Sequence, residues 1–379
     1  MHTYDTIVLG LGGMGSAALA HLAARGRRVL GLEQFQPLHD RGSSHGRTRV
    51  IRQAYFEHPD YVPLILRAYA LWEELERATG STLLVRTGAL LVGREDGVAV
   101  PGSSRSARAH GLAHDVLDAS ALRRRFPQLR PRDDEWGVYE QAGGVLLTEP
   151  CVLSHLRRAV EHGAEARFGA RVAFWRSNGE RVRVSTDGGE VEAGSLVITA
   201  GPWLGRATPE LALPLEVERN VVHWFEPRGE SAPLSAGALP VWLVERAGEP
   251  VWYGVPALRG DPSKLAIHHG KQLGTPETIE RTVHPGEIEG ARRFLSDWIP
   301  DAAGAHRASL VCLYTNTPDE HFVIGLHPAY GNVALAGGFS GHGFKFCSVV
   351  GEICADLATA GSTAHPIGLF DPKRFTERG

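Results

Sequence analysis

Lysine is scarce in this chain. Of its forty basic residues only four are lysine: Lys264, Lys271, Lys345 and Lys373. Arginine therefore supplies the general charge, and a retained lysine is a candidate for a role that needs a compact, tunable ammonium. Cysteine is sparse too. Cys151, Cys312, Cys347 and Cys354 form no Cys-x-x-Cys pair and no zinc spacing, which argues against a disulfide framework and fits free thiols in a reducing cytoplasm. No apolar run approaches the roughly 20 residues that span a bilayer. The mostly apolar stretch 7–24 lacks a positive leader, follows Asp5 and is broken by Gly10, Gly12, Gly13 and Gly15, so it does not read as a signal peptide. No membrane partner is expected. With a net charge of −3 and no basic stripe, nucleic acid is not expected either. There is no His-Glu-x-x-His helix and no Walker loop. His268-His269 and Asp319-Glu320-His321 come nearest to a metal set, but adjacent strand residues diverge, and no metal is predicted. Gly338-Phe339-Ser340-Gly341-His342 lacks the last glycine of a nucleophile elbow.

What the chain does have is length for two domains and two glycine-rich loops. The first follows a short buried strand, Thr6-Ile7-Val8-Leu9. Gly10-Leu11-Gly12-Gly13-Met14-Gly15 comes next, then a small-residue helix face (Ala17, Ala18, Leu19, Leu22, Ala23), a second strand (Arg28 to Leu32) and Glu33. In this arrangement Gly10 permits the tight turn, Gly12 lets the backbone approach a pyrophosphate, and Gly15 lets helix pack on strand. Glu33 would accept hydrogen bonds from an adenosine ribose. The pattern predicts a dinucleotide site without separating NAD from FAD.

The second loop is Gly337-Gly338-Phe339-Ser340-Gly341-His342-Gly343-Phe344-Lys345-Phe346. An apolar strand (Asn332 to Ala336) precedes it and a helical stripe (Val349, Val350, Ile353, Cys354, Leu357) follows. Strand, glycine loop and helix start make a cradle for an anionic or electron-rich group. Between the two, Arg47 to Arg52 reads as an extended segment with Arg49 and Arg52 on opposite faces. Residues 60–78 read as a helix that Asp60 can cap, buried through Tyr61, Leu64, Ile65, Ala68, Leu71, Trp72 and Leu75. Ser195 to Trp203 reads as a further strand of the nucleotide domain, which makes that domain discontinuous.

These segments resemble the monomeric sarcosine oxidase and N-methyltryptophan oxidase family of flavoenzymes. The match runs nearly end to end: the Gly10–Gly15 fingerprint, Ser44-His45-Gly46 with Thr48-Arg49 and Ile51-Arg52, and Tyr61-Val62-Pro63-Leu64. It continues with Tyr253-Gly254, Lys264 with His268, Cys312-Leu313-Tyr314-Thr315, Asp319-Glu320-His321-Phe322 and Gly338–Phe346. The resemblance implies FAD, covalently linked through the Cys312 sulfur. It implies cofactor contacts from Gly10, Gly12, Gly13, Met14, Gly15, Glu33, Ser44, His45, Thr48, Arg49, Val172, Cys312, Gly341, Gly343 and Lys345. Arg52 and Lys345 are expected to clamp a substrate carboxylate. Tyr253, Tyr314 and His268 are expected to surround the N-methyl group, with Arg49 beside the flavin and Lys264 promoting its reaction with oxygen.

The implied fold is α/β (α+β): a Rossmann-like FAD-binding domain (1–84, 145–217 and 319–379) and a substrate domain on a mixed or antiparallel sheet (85–144 and 218–318). The implied activity is oxidative demethylation of sarcosine or a similar small N-methyl amino acid to glycine, formaldehyde and hydrogen peroxide, by a cytoplasmic monomer. The alternatives are N-methyltryptophan or a cyclic imino acid as substrate, or, in another class, a nicotinamide-dependent dehydrogenase. One departure stands out: Arg47 occupies a position where sarcosine oxidases usually carry aspartate.

Overall fold

The computed structural model describes residues 3–376. Two large sheets and a small one divide the work. The first sheet begins with the strand Thr3–Leu9, whose apolar residues Ile7 and Val8 are fully buried, and pairs parallel with Val29–Glu33 on one side and Gly189–Ile198 on the other. Glu165–Phe168 continues it parallel beyond Val29–Glu33, and Tyr330–Gly337 lies parallel beyond Gly189–Ile198. Near-continuous apolar strands are what a parallel sheet covered on both faces requires. The helices Gly13–Ala24, Thr148–Glu161 and Cys347–Ala360 pack together against it. Of the strand expected over 195–203, residues 195–198 lie in this sheet, whereas Gly201–Trp203 forms a short 3-10 turn in which the Trp203 amide bonds back to the Ala200 carbonyl.

The second sheet has nine strands and is largely antiparallel, with one parallel pair between Ala89–Arg94 and Val241–Val244. Its long central strand Glu216–Phe225 pairs with His306–Asn316 on one edge and with Ser263–His268 on the other. Directly paired residues share a face of a sheet. Trp224 pairs with Lys264, Asn220 with Cys312, Glu218 with Tyr314, Tyr253 with Ala266 and Val251 with His268. Register and alternation therefore bring Lys264, His268, Tyr253, Cys312, Tyr314 and Trp224 to one face. The small third sheet is antiparallel and pairs Gly144–Leu147 with Thr48–Ile51 on one side and Leu84–Arg86 on the other.

One local expectation is overturned. The helix runs Tyr61–Thr79, but Asp60 is itself in helical conformation (φ −64°, ψ −13°) and its carboxylate caps nothing. The carbonyls of His58 and Pro59 accept from the amides of Tyr61 and Val62 instead, so the first turn is closed by backbone. The far end stops at Gly80, whose φ of +67° is the left-handed conformation that ends helices at glycine. Trp72 is fully buried on this helix, and its indole N–H donates to the Lys345 carbonyl at 2.9 Å. A stripe predicted to be core alone thus also anchors the second glycine loop.

Candidate active site

A single cavity of about 1120 Å³ runs between the sheets, from Gly10, Glu33 and Thr199 at one end to Tyr253, His268, Tyr314 and Lys345 at the other. At the first end the helix begins at Gly13, directly after the turn, so its first residues, Gly13 and Met14, line the cavity. Gly10 has φ +88°, which only glycine adopts without strain. A methyl on Gly15 would overlap the Gly10 carbonyl oxygen, so its hydrogen is what lets helix and strand touch. The amide of Gly13 donates to Ser44 Oγ at 2.9 Å. Glu33 is buried and accepts from the amides of Leu11 (2.9 Å) and Phe35 (3.0 Å), tying the turn to the end of the second strand. Gly12, Met14 and Val172 also line this end, as do Gly341 and Gly343 farther along.

Cys312 lies midway. Its Sγ is 3.7 Å from Arg49 Nη2 and 4.0 Å from the His45 carbonyl. Burial, the largest single influence, would raise the thiol, but the Arg49 guanidinium, His45 and Lys264 together outweigh it and push the thiol down to about 6. The other three cysteines are buried free thiols, all raised by burial. Only Cys347 among them borders the cavity, beside Gly13. Arg49 is held by the carbonyls of Thr48 (2.8 Å) and Ser43 (2.9 Å), so its charge is fixed at the cavity wall.

At the far end two buried cations face the cavity. Lys345 Nζ donates to the His342 carbonyl at 2.8 Å and to the Tyr55 hydroxyl at 3.2 Å, and among the described residues no carboxylate pairs with it. Burial, then the nearby Arg52, push its pKa down to about 7. Arg52 is differently placed from the free clamp the sequence suggests. It lies between the rings of Tyr55 and Phe56 and donates twice to Glu57, at 2.6 and 2.7 Å. Glu57 stays ionised, since Arg52 and then His342 outweigh its burial and hold it at about 2. The strand ends at Ile51, so Arg52 is the first residue beyond it, and both Arg49 and Arg52 line the cavity. Tyr253, Tyr314 and His268 form an aromatic wall, with the His268 ring edge-on to both tyrosines. Burial, then His269 and His342, hold His268 neutral, well below its ordinary range.

Four expected site residues stand outside the cavity wall. Gly15, His45, Thr48 and Lys264 are buried but are not part of the lining. Lys264 Nζ is bonded to the carbonyls of Gly46 (3.2 Å) and Thr48 (2.7 Å). Burial and Arg49 push its pKa down to about 7, against the pull of Cys312, Glu149 and Asp261. Sequence reasoning also missed four carboxylates. Glu57 pairs with Arg52. Glu149 accepts from the amides of Gly46 and Arg47 at 3.0 and 3.1 Å. Glu140 accepts from Gln53 and Ala54 at 2.6 and 2.7 Å. Glu218 accepts from His269 at 3.0 Å, next to His268. Only Glu149 carries a sequence signal, an acid in the first turn of a helix.

The arrangement fits a flavin dinucleotide. The cavity is long enough to be lined by both glycine loops, and the open helix start suits a pyrophosphate. His45 Nε2 and Thr48 Oγ1 are buried atoms without a hydrogen-bond partner, beside the cysteine expected to bond the flavin. Among the described residues there is no group of three metal-ligating side chains, and no helix is long and apolar enough to cross a membrane.

Comparison with known proteins agrees. The FAD dependent oxidoreductase family matches residues 5–357. The monomeric sarcosine oxidase of Streptomyces avermitilis is 49% identical over 376 residues, covering 98% of each chain. The N-methyl-L-tryptophan oxidase of Salmonella enteritidis PT4 is 34% identical over 377 residues, covering 99% of this chain and all of the other. Among solved structures, NikD, an unusual amino acid oxidase of nikkomycin biosynthesis, superposes with a TM-score of 0.87 over 98% of each chain at 24% identity, a likeness of fold.

Proposed function

This chain belongs to the FAD-dependent oxidoreductase family, and we propose that within it the enzyme oxidatively demethylates sarcosine, or a similarly small N-methyl amino acid. The nicotinamide alternative falls with the family match. The observation that carries the substrate class is the pairing of two buried cations, Lys345 and Arg52, with a wall of Tyr253, Tyr314 and His268 at one end of the cavity. The higher identity to a sarcosine oxidase than to an N-methyltryptophan oxidase supports the smaller substrate.

FAD, when bound, accepts the two electrons of the C–N oxidation and passes them to oxygen. Gly10, Gly12, Gly13, Met14, Glu33, Ser44 and Val172 would hold its nucleotide, and the Cys312 thiolate, poised by Arg49, would supply a covalent sulfur. Lys345 and Arg52 bind the substrate carboxylate. An anion arriving beside Lys345 favours its charged form, and two cations orient one carboxylate more tightly than one. Tyr253, Tyr314 and the neutral His268 exclude water from the N-methyl carbon. The amine binds unprotonated, so no side chain is assigned as its base. Lys264, fixed by two carbonyls, supplies positive charge for the reduction of oxygen. In sum, sarcosine, water and oxygen give glycine, formaldehyde and hydrogen peroxide.

The strand allotment supports the division into an FAD-binding part (1–84, 145–217, 319–379) and a substrate part (85–144, 218–318), because the two large sheets draw on these segments separately except at the border strand Glu216–Phe225, which begins two residues before 218. Four free, buried thiols support a cytoplasmic enzyme, taken here as a monomer. The test is an absorption spectrum of the purified protein before and after adding sarcosine without air. A flavin band that bleaches, and returns with peroxide on admission of air, is the expected result. A flavin band that sarcosine leaves unchanged would overturn the substrate assignment.

A further inference from the structure

Arg47 occupies a strained turn. Its φ is +68°, and the amide of Thr48 bonds back to the carbonyl of Gly46 at 2.8 Å. A positive φ inside that two-residue hydrogen bond marks the rarer, strained form of γ-turn. Such strain persists only where the surroundings over-determine it. Here they do. Glu149 accepts from the amides of Gly46 and Arg47, and the Arg47 carbonyl accepts from Thr148 at 3.0 Å. The Arg47 side chain pairs with Asp261 across to the second sheet, and its guanidinium lies 5.1 Å from the centre of the Trp224 ring.

The two carbonyls flanking Arg47, those of Gly46 and Thr48, are the two that hold the Lys264 ammonium. Lys264 also sits over the same Trp224 ring, at 5.7 Å, as its cross-strand partner. Asp261 lies in the turn immediately before the strand that carries Lys264, where Leu258 and Asp261 bond to each other. One ion pair therefore joins both halves of the Lys264 site: the loop that supplies its acceptors and the turn that delivers its strand.

We propose that Arg47 and Asp261 form a positioning clasp that fixes Lys264 by holding its two carbonyl acceptors in place. The inference rests on the reading of Lys264 as the residue that serves oxygen reduction. The other charged or titratable groups bearing on Lys264 are Arg49, Cys312 and Glu149. The clasp is half-exposed at Arg47 and partly exposed at Asp261, so its electrostatic worth is small and its effect is geometric.

Only four lysines make the test direct. The purified flavoprotein, labelled with [ε-13C]lysine, gives four side-chain resonances, and Lys264→Met assigns one of them. Arg47→Ala and Asp261→Ala are each expected to shift that resonance and its titration midpoint by at least half a pH unit. Each should also slow reoxidation of the reduced enzyme by oxygen about 5-fold or more, while leaving anaerobic reduction by substrate within 2-fold. The double variant should be no worse than either single one, and Arg47→Asp with Asp261→Arg together should restore part of the rate. An unmoved Lys264 resonance in both single variants overturns the clasp, whatever the rates. If Lys264→Met leaves reoxidation unchanged, the oxygen role of Lys264 fails instead, and the resonance still decides the clasp.

Discussion

The Cys312 thiol lies 3.7 Å from Nη2 of Arg49, although the two residues belong to different sheets. A guanidinium fixed by two backbone carbonyls cannot turn away from the sulfur, so the thiolate is favoured even in a buried place. In flavin-free protein Cys312 should react with iodoacetamide with a midpoint near pH 6, while Cys151, Cys347 and Cys354 stay unreactive to pH 9 or so. Arg49→Ala removes the largest influence that opposes burial and should raise the midpoint by more than about one unit. Peptide mapping of the alkylated cysteines reads both. Cys312→Ser should also lose any yellow colour that wild type retains through acid precipitation.

Glu57 holds Arg52 in a two-point pair at the cavity wall. A substrate carboxylate must share or replace that partner. Glu57→Gln removes the competing charge, and acetate should bind roughly 3- to 10-fold tighter, as charge-assisted pairs of this kind allow. Titration of the flavin spectrum with acetate measures it. Unchanged affinity would remove Arg52 from the carboxylate site.

Lys345 gives a pH dependence of defined sign. Its pKa falls from 10.5 in the unfolded chain to about 7 in the folded one. Between those values the unfolded chain binds the extra proton, so this residue makes folding stability rise with pH across that window. Above about pH 10 the buried tyrosines Tyr55 and Tyr314, raised by burial, oppose the trend. Lys345→Met should therefore gain stability relative to wild type most at pH 7, on the order of a few kcal/mol, with the gain shrinking toward pH 10. Urea unfolding of flavin-free protein at several pH values tests this, and a gain that grows with pH would rule it out. Acetate affinity should fall as pH rises through about 7, since Lys345 then loses its charge.

Gly15 separates a packing effect from a general glycine effect. A methyl there overlaps the Gly10 carbonyl, whereas one on Gly205 meets nothing within 4 Å. Gly15→Ala should destabilise the protein by about 2–4 kcal/mol and abolish flavin binding, and Gly205→Ala should be near neutral. Thermal unfolding followed by circular dichroism compares the two. Equal effects would mean that the helix has room to move off the strand.

The glycine fingerprint, Glu33 and the Phe339–Phe346 loop were legible because their signals are local: a turn, a helix start and a strand end lie within a few residues of each other. The cap at Asp60 misled because its own backbone enters the helix, which composition does not reveal. Glu57, Glu140 and Glu218 left no signal, since an acid is given its role by the partner it meets.

Sequence alone thus determined the dinucleotide turn, the strand–loop–helix cradle and the identity of the cations, because each depends on neighbours along the chain. Tertiary structure decided that Cys312 meets Arg49 across 263 positions, that Arg52 faces Glu57 and that Lys264 is held by the turn at Arg47. Those contacts follow from which strands pair and in what register, and that choice is made by the packing of the whole chain.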